Sequence, residues 1–324
     1  MEVIYKAIDG DMVKVNDIIL AHLKSEEELV GVVGDYLMSA SSKRLRPMLT
    51  ILCSKLFDYQ GNAHIDLASA VEFIHTATLL HDDVIDDSVV RRFKPTANTI
   101  WGNKTSILVG DFLFSQSFKL MVSAGSMEAL RSLANASAII AEGEVMQLVA
   151  LNKKRMLTLV EYDQIINAKT AELFGASCEV GGIISGQSKD INMHLKQFGL
   201  KLGAVFQVMD DLLDYFGDKT STGKNTGDDF FEGKVTLPVI LACEQSSSEE
   251  KKFLEEALFT ESVDHSAFKE VVLLMKKYKI QEQIAEYMES LVSDGLSSLA
   301  QIQGKDPYKK HLISLMRYAA SRNK

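Results

Sequence analysis

The chain has 324 residues, 46% of them hydrophobic, and a formal net charge of −9. This composition excludes a disordered chain, and the negative balance argues against non-specific nucleic-acid binding. No charge-free run is long enough to span a bilayer, because residues 132–151, the nearest to one, are interrupted by Glu142 and Glu144. Only four prolines interrupt long stretches of 3.6-residue periodicity, so the expected fold class is all-α. Cys53, Cys178 and Cys243 are far apart and form no C-x-x-C, which reads as core thiols in a reducing compartment. The acidic start MEVIYKAIDGD has no signal-peptide core, and the chain is expected to be cytoplasmic. No linker or fixed-period repeat divides it, so residues 1–324 are expected to form a single domain.

Residues 2–22 read as an amphipathic helix, and Ser25-Glu26-Glu27-Glu28 has the capping-box spacing of a second helix ending near Met38. A basic loop, Ser41-Ser42-Lys43-Arg44-Leu45-Arg46-Pro47, leads into a helix over residues 47–57 with its proline in the first turn. Taken alone this loop is a solvated basic segment, although a helix N-terminus also favours an anion. Asp66 is expected to cap a helix reaching Asp87, on the order of 30 Å long. Asn103 is expected to cap a helix over 104–123, followed by another over 127–151. Thr158-Leu159-Val160-Glu161 is a second capping box, opening a helix toward Ile184 that carries Lys169-Thr170. Gly175, Gly181 and Gly182 predict a loosened C-terminal half for that helix. Residues 191–216 form a further amphipathic helix, in which Gly199 and Gly203 let a neighbour approach closely. A charged, Gly-rich loop over 217–234 follows, and residues 249–322 read as three or four amphipathic helices without a cluster that carries chemistry.

Two stretches stand out. Residues 71–95 contain Asp82, Asp83, Asp86 and Asp87 behind an apolar run and end on Arg91-Arg92 and Pro95. Residues 207–214 repeat the pattern as Gln207-Val-Met-Asp210-Asp211-Leu-Leu-Asp214. Carboxylates at i and i+4 share a helix face and repel one another by roughly 0.2–0.5 kcal/mol per pair, so each cluster calls for a cation. Hard oxygen donors in this number suit Mg²⁺, which keeps several waters and is commonly shared with substrate phosphates. Two such helices would clamp a diphosphate. The scattered cations Lys43, Arg46, Arg91, Arg92, Lys169, Lys224 and Lys234 fit the same ligand.

The ordered motifs resemble those of the trans-polyprenyl diphosphate synthases. They run from KRLRP (Lys43 to Pro47) through HTATLLHDDVIDD, RR-x-x-PTAN, Gly110-Asp111, EGEVMQL, KTAELF and FQ-x-x-DDLLDY to EGKVTLP (Glu232 to Pro238). Ser41-Ser42 stands where the family commonly has Gly-Gly, and Phe93 where it frequently has Gly.

The resemblance implies a bundle of helices around a central cavity, normally a homodimer, that extends an allylic diphosphate with isopentenyl diphosphate. Asp82, Asp83 and Asp86 would bind Mg²⁺, with Asp210 the main ligand of the second motif and Asp211 and Asp214 in support. Lys43, Arg46, His75 and Arg92 match the isopentenyl diphosphate site. Arg91, Lys169, Thr170, Gln207, Lys224 and Lys234 match the allylic diphosphate site, and Lys169, Thr170 and Gln207 are the candidates closest to the reacting carbon. Ala77 and Thr78 lie five and four residues before Asp82, where short-chain members carry a bulky aromatic. Small residues here imply a long, octaprenyl-like product of the kind used in quinone side chains. Met121, Met127 and Leu130 are candidates for the tunnel floor. The alternatives are a farnesyl or geranylgeranyl synthase, or a non-catalytic subunit of a heteromeric enzyme, although both aspartate motifs are complete here.

Overall fold

The computed structural model describes residues 1–39, 43–91, 94–217, 226–260 and 265–322. Helices α1 (Glu2–Leu23), α2 (Glu28–Ser39), α3 (Leu45–Leu56) and α4 (Ala63–Ile85) come first. A two-residue ladder follows, β1 (Val90–Arg91) against β2 (Lys94–Pro95). Next are α5 (Ala97–Trp101), α6 (Asn103–Ser123), α7 (Met127–Lys153) and α8 (Leu159–Ile166). A π-helical turn (Asn167–Ala171) joins α8 to α9 (Glu172–Ile184), which precedes α10 (Lys189–Phe216). The chain ends in α11 (Asp228–Phe231), α12 (Leu237–Gln245), α13 (Ser248–Phe259), α14 (His265–Lys277), α15 (Ile280–Ala300) and α16 (Asp306–Ala320). The all-α expectation holds, and the ladder is the only strand pairing among the described residues.

Two helices organise the bundle. At 23 residues, α4 is about 35 Å long, and it buries Val71, Phe73, Ile74, Ala77 and Leu80 against α1, α3, α6 and α9. α10 packs on α9, the π turn, α15 and α16. Phe73, Phe174 and Phe198 are among the largest fully enclosed side chains, one each from α4, α9 and α10. Each such burial contributes about 1.5–3 kcal/mol. The expected close approach at Gly199 and Gly203 is present. A Cβ at Gly199 would lie 2.4 Å from the Phe174 carbonyl oxygen, and one at Gly203 would lie 2.6 Å from Ala171 Cα. Two missing methyl groups thus let α10 seat directly on α9 and the π turn.

Several helix ends differ from the sequence expectation. α4 begins at Ala63 after Asn62, and Asp66 lies inside its first turn, where it accepts a hydrogen bond from Ser123 Oγ at 3.2 Å. Gly102, at φ 82°, takes the cap position of α6 instead of Asn103. Ser25 accepts from the Glu27 amide at 3.2 Å, one residue short of the capping-box partner. The Thr158–Glu161 capping box forms as expected. The helix it opens is interrupted at 167–171 and not at its glycines. Gly175, Gly181 and Gly182 are instead contact points, against Leu200, Cys53 with Thr50, and Asn192 with Leu195.

Candidate active site

The first acidic cluster ends α4, where the helix dipole already disfavours negative charge. Three of its four carboxylates, Asp82, Asp83 and Asp86, face a cation. Asp82 lies 3.8 Å from Lys169 Nζ, and Asp86 accepts from Lys234 Nζ at 3.0 Å. Asp83 points elsewhere: it is 2% exposed and takes both Nε and a terminal nitrogen of Arg91 at 2.8 Å. The residues expected to hold metal and diphosphate separately are therefore joined to each other, and this fork fixes the ladder to α4. Asn98 reinforces the join by donating to the carbonyls of Asp83 and Ser88. His81 braces the same end, its Nε2 3.2 Å from the Ile107 carbonyl and 3.5 Å from Asp111, against Gly110 of α6.

The second cluster divides its three carboxylates. Asp210 meets the guanidinium of Arg322, which also lies 4.0 Å over the Phe206 ring. Asp211 is 2% exposed, and its two oxygens accept from Tyr162 Oη at 2.6 Å and Gln207 Nε2 at 2.7 Å. Asp214 accepts from the backbone amides of Asp228 and Asp229 at 3.1 and 3.2 Å, which caps α11. A buried phenol and a carboxamide thus hold Asp211, and the amides that open α11 hold Asp214. Asp210 faces the Arg322 cation.

Between the clusters lies the π turn. Lys169 Nζ bonds Glu144 on α7 at 2.7 Å, and Thr170 Oγ1 donates to Gln207 Oε1 at 2.8 Å. A Cβ at Gly143 would fall 2.8 Å from the Lys169 nitrogen, so α7 presses directly on this turn. Single π turns inside α-helical runs recur at functional sites, because the extra residue re-aims the side chains it carries.

On the other flank, Arg44 adopts φ 44° at the start of α3, and its side chain lies 4.0 Å from buried Glu72. Lys43 reaches the Tyr318 hydroxyl, and Arg46 lies 4.3 Å over the Phe174 ring. His75 is half-buried on α4, and its carbonyl accepts from Thr78 Oγ1 at 2.8 Å. Arg92 and Lys224, like Ser41, Ser42 and Phe93, lie outside the described residues. Ala77 is buried at 1% exposure and Thr78 is half-buried. Met121 is buried and Leu130 packs on the core. Met127 is 68% exposed in the first turn of α7, which removes it from an internal tunnel floor of the protomer.

The electrostatics follow from crowding. Burial raises Asp82, and repulsion from Asp86 adds to it while Lys169 opposes it. Burial and the charge of Asp82 push Glu144 up to about 7, against the pull of Lys169. Burial and Asp229 push Asp211 up to about 7, against its hydrogen bonds from Tyr162 and Gln207. Burial would lower the Lys234 ammonium, yet Asp229, Glu232 and Asp86 outweigh it and hold the group raised.

An all-oxygen donor set, in excess over nearby cations and partly desolvated, fits a hard divalent ion. Asp82, Asp86 and Asp210 are the residues that would hold it. Among the described residues no three metal-binding side chains converge on one point. Ions that retain waters and share diphosphate oxygens do not require such convergence.

Four contributors were missed or given no role in the sequence reading. Glu144 and Tyr162 carry no spacing signal, and Glu144 stands in the sequence only as a charge interrupting residues 132–151 and as part of EGEVMQL. Tyr318 and Arg322 belong to the stretch read as free of chemistry, and the structure corrects that reading.

With this geometry the chain can be set beside known proteins. Residues 27–275 match the Polyprenyl synthetase family model, and the chain belongs to that family, the trans-polyprenyl diphosphate synthases. It is an enzyme of prenyl transfer. It is similar to octaprenyl diphosphate synthase of Escherichia coli (strain K12), 38% identical over 324 residues, covering 100% of this chain and 99% of the other. Among solved structures it is similar to a polyprenyl synthase from Caulobacter crescentus CB15 complexed with calcium and isoprenyl diphosphate. That pair has a TM-score of 0.94 and 39% identity, covering 100% of this chain and 98% of that one. A decaprenyl diphosphate synthase from Rhodobacter capsulatus aligns with a TM-score of 0.92 and 42% identity, covering 99% and 98%.

Proposed function

We propose that the enzyme extends an allylic diphosphate with isopentenyl diphosphate into a long all-trans polyprenyl diphosphate, octaprenyl-like in length, with Mg²⁺ as its cation. The observation that carries this reading is the alternation of charge between α4 and α10: Asp82 with Lys169, Asp86 with Lys234 and Asp210 with Arg322. When bound, Mg²⁺ supplies Lewis-acid charge to the diphosphate oxygens. Lys169 and Lys234 stabilise the same oxygens as the allylic C–O bond breaks and its electron pair leaves with diphosphate. The isopentenyl double bond then forms the new C–C bond with its π electrons. A proton leaves the adjacent carbon to restore an alkene, with the departed diphosphate as the nearest base. Thr170 and Gln207 offer dipoles to the cation without being strong nucleophiles. Lys43, Arg46 and His75 hold the isopentenyl diphosphate, joined by Arg92.

Small residues at Ala77 and Thr78 support a long product, since the chain growing from Asp82 must pass that turn of α4. Quinone side chains are the destination this length suits. The 324 residues act as one catalytic unit, supported by the packing of α15 and α16 back onto α10. Among the described residues no helix is long and apolar enough to cross a membrane. Leu108, Phe118 and Val122 on α6 and Val145, Leu148 and Val149 on α7 are exposed, a surface that a homodimer would cover.

The test is incubation of the purified enzyme with Mg²⁺, farnesyl diphosphate and labelled isopentenyl diphosphate, with products resolved by length. A product near octaprenyl is expected. A product stopping at geranylgeranyl would overturn the length assignment alone. Absence of incorporation would overturn catalysis by the homomeric chain and favour a subunit role.

A further inference from the structure

Tyr162 belongs to no motif discussed above, yet it begins a hydrogen-bonded relay that ends beside the reacting centre. Its ring is buried on α8, 3% exposed, and its hydroxyl donates to Asp211 Oδ2 at 2.6 Å. Asp211 Oδ1 accepts from Gln207 Nε2 at 2.7 Å, and Gln207 Oε1 accepts from Thr170 Oγ1 at 2.8 Å. The relay thus connects α8, α10 and the π turn.

Its polarity is dictated by chemistry. In its ionised form Asp211 only accepts, so the Gln207 carboxamide presents its nitrogen to it, as the 2.7 Å contact from Nε2 shows. Its oxygen must then face Thr170, and the Thr170 hydroxyl must spend its single proton on that oxygen. We propose that Tyr162 and Asp211 are positioning residues that act through Gln207 to lock the Thr170 hydroxyl with its proton turned into the protein and its lone pairs free for the allylic cation. A hydroxyl held this way offers the negative end of a dipole and has no proton to deliver to the cation or its alkene product. Asp211 would accordingly contribute orientation, whereas its neighbour Asp210, on the cation-facing side of α10, contributes charge to the metal site.

The geometry explains the local sequence as well. Gln207 and Asp211 are four residues apart, so both lie on the same face of α10. Thr170 meets that face because Gly203 brings Ala171 into contact with α10. The π turn supplies the added residue that rotates Thr170 toward Gln207. Asp211 without Tyr162 would hold only one donor in a buried position, where an under-satisfied carboxylate is unfavourable.

The inference rests on the reading that Thr170 and Gln207 face the allylic carbon, and the experiment separates the two. Tyr162→Phe, Gln207→Leu and the double variant are assayed with farnesyl diphosphate, isopentenyl diphosphate and Mg²⁺, alongside thermal unfolding. Tyr162→Phe keeps the ring and is expected to lower kcat roughly 5- to 30-fold, with KM for either diphosphate within about twofold. On the Gln207→Leu background, removing the Tyr162 hydroxyl is expected to cause no further fall, because the relay is already cut. Multiplying losses in the double variant would overturn the relay. So would a raised KM at unchanged kcat, or a Tyr162→Phe enzyme that turns over like the parent. Full activity in Gln207→Leu would instead overturn the placement of Gln207 at the allylic carbon. Asp211→Asn is the second route to the same break, and it is expected to match Tyr162→Phe in kcat. Parental kcat in Asp211→Asn, with the fold intact, would count against the relay.

Discussion

Lys234 and Asp86 meet at 3.0 Å although 148 residues separate them in the chain. The contact ties the segment after α11 to the end of α4, and Lys234 also bonds Glu232 at 2.5 Å. Its ammonium is held charged by three carboxylates, so a diphosphate arriving here meets a cation already fixed in place. Lys234→Met is expected to lower kcat/KM for the allylic diphosphate roughly 10- to 100-fold, the loss of one charge-assisted contact. KM for isopentenyl diphosphate should change little, and steady-state kinetics with each substrate varied in turn will show it. Equal losses for both substrates would place Lys234 elsewhere.

The carboxylates that face cations define the next expectation. Asp82→Ala and Asp210→Ala should each reduce turnover by roughly three orders of magnitude, since several kcal/mol of charge stabilisation goes with the metal. Chelation of the parent enzyme should abolish incorporation, with activity restored by added Mg²⁺. Asp214→Asn should act differently. It weakens the cap on α11, so its first effect is a lowered melting temperature. Direct titration of Mg²⁺ or Mn²⁺ binding into each variant distinguishes a lost ligand from a loosened helix.

Much of this site is visible in the linear chain because helical spacing displays it. Asp82 and Asp86 are one turn apart, as are Asp210 and Asp214, and α4 ends within two residues of its expected limit at Asp87. What spacing cannot display is which side of a helix meets which neighbour. Asp83 and Asp82 are adjacent in sequence, yet one is locked inward on Arg91 and the other faces Lys169. Arg322 reaches Asp210 from 112 residues away, and no local pattern marks it. The π turn is equally hidden, since the capping box at Thr158 marks where a helix starts and not where its register shifts. Glycine reads alike whether it loosens a helix or admits another backbone, and only the partners at Gly175, Gly181 and Gly182 distinguish the two.

Product length should respond to Ala77. The residue is buried one turn before the first aspartate cluster, so a phenyl ring there would stand across the path of a chain growing from Asp82. Ala77→Phe is expected to shorten the product while sparing the first condensation. Overpacking also costs about 1–3 kcal/mol, so a fall of several degrees in melting temperature accompanies it. Thr78→Phe, at a half-buried position, provides the same test with less strain. Unchanged product lengths in both variants would show that the chain runs elsewhere.

Far from the metal site, the start of α4 has its own response to pH. Burial lowers the His64 imidazole, and Asp11 at 3.6 Å only partly offsets this. The unfolded chain takes up a proton near the ordinary value of 6.5, which folded His64 resists. The unfolded state therefore binds more protons as pH falls below that value, and this contribution to stability is full above it and lost below. Burial would raise Asp11, but Lys55 at 2.6 Å outweighs it, so the Asp11 contribution persists until the pH falls below about 3.8. Lys14 also faces the pair and opposes protonation of His64. Glu144 and Asp211, both raised, contribute with the opposite sign over the same range, so the His64 contribution is read as a difference: the urea midpoint of the parent relative to His64→Gln should fall between pH 7 and 5. The same pH profile in parent and variant would remove His64 as its source.

The exposed apolar surface of α6 and α7 gives the last expectation. Leu108 and Val145, at 68% and 60% exposure, are large hydrophobic side chains on adjacent helices. Water contact over such a surface is unfavourable by roughly 25 cal/mol per Å², and a two-fold partner presenting the same patch would remove it. Leu108→Glu places like charges opposite each other or close by across that axis, and it should convert a dimer to monomers. Light scattering coupled to size exclusion reads the change directly. Because Lys169 bonds Glu144 on α7, one residue from Val145, the monomer should also lose activity as α7 loosens its hold on the π turn. A monomeric parent, or a Leu108→Glu variant that remains dimeric, would place the interface elsewhere.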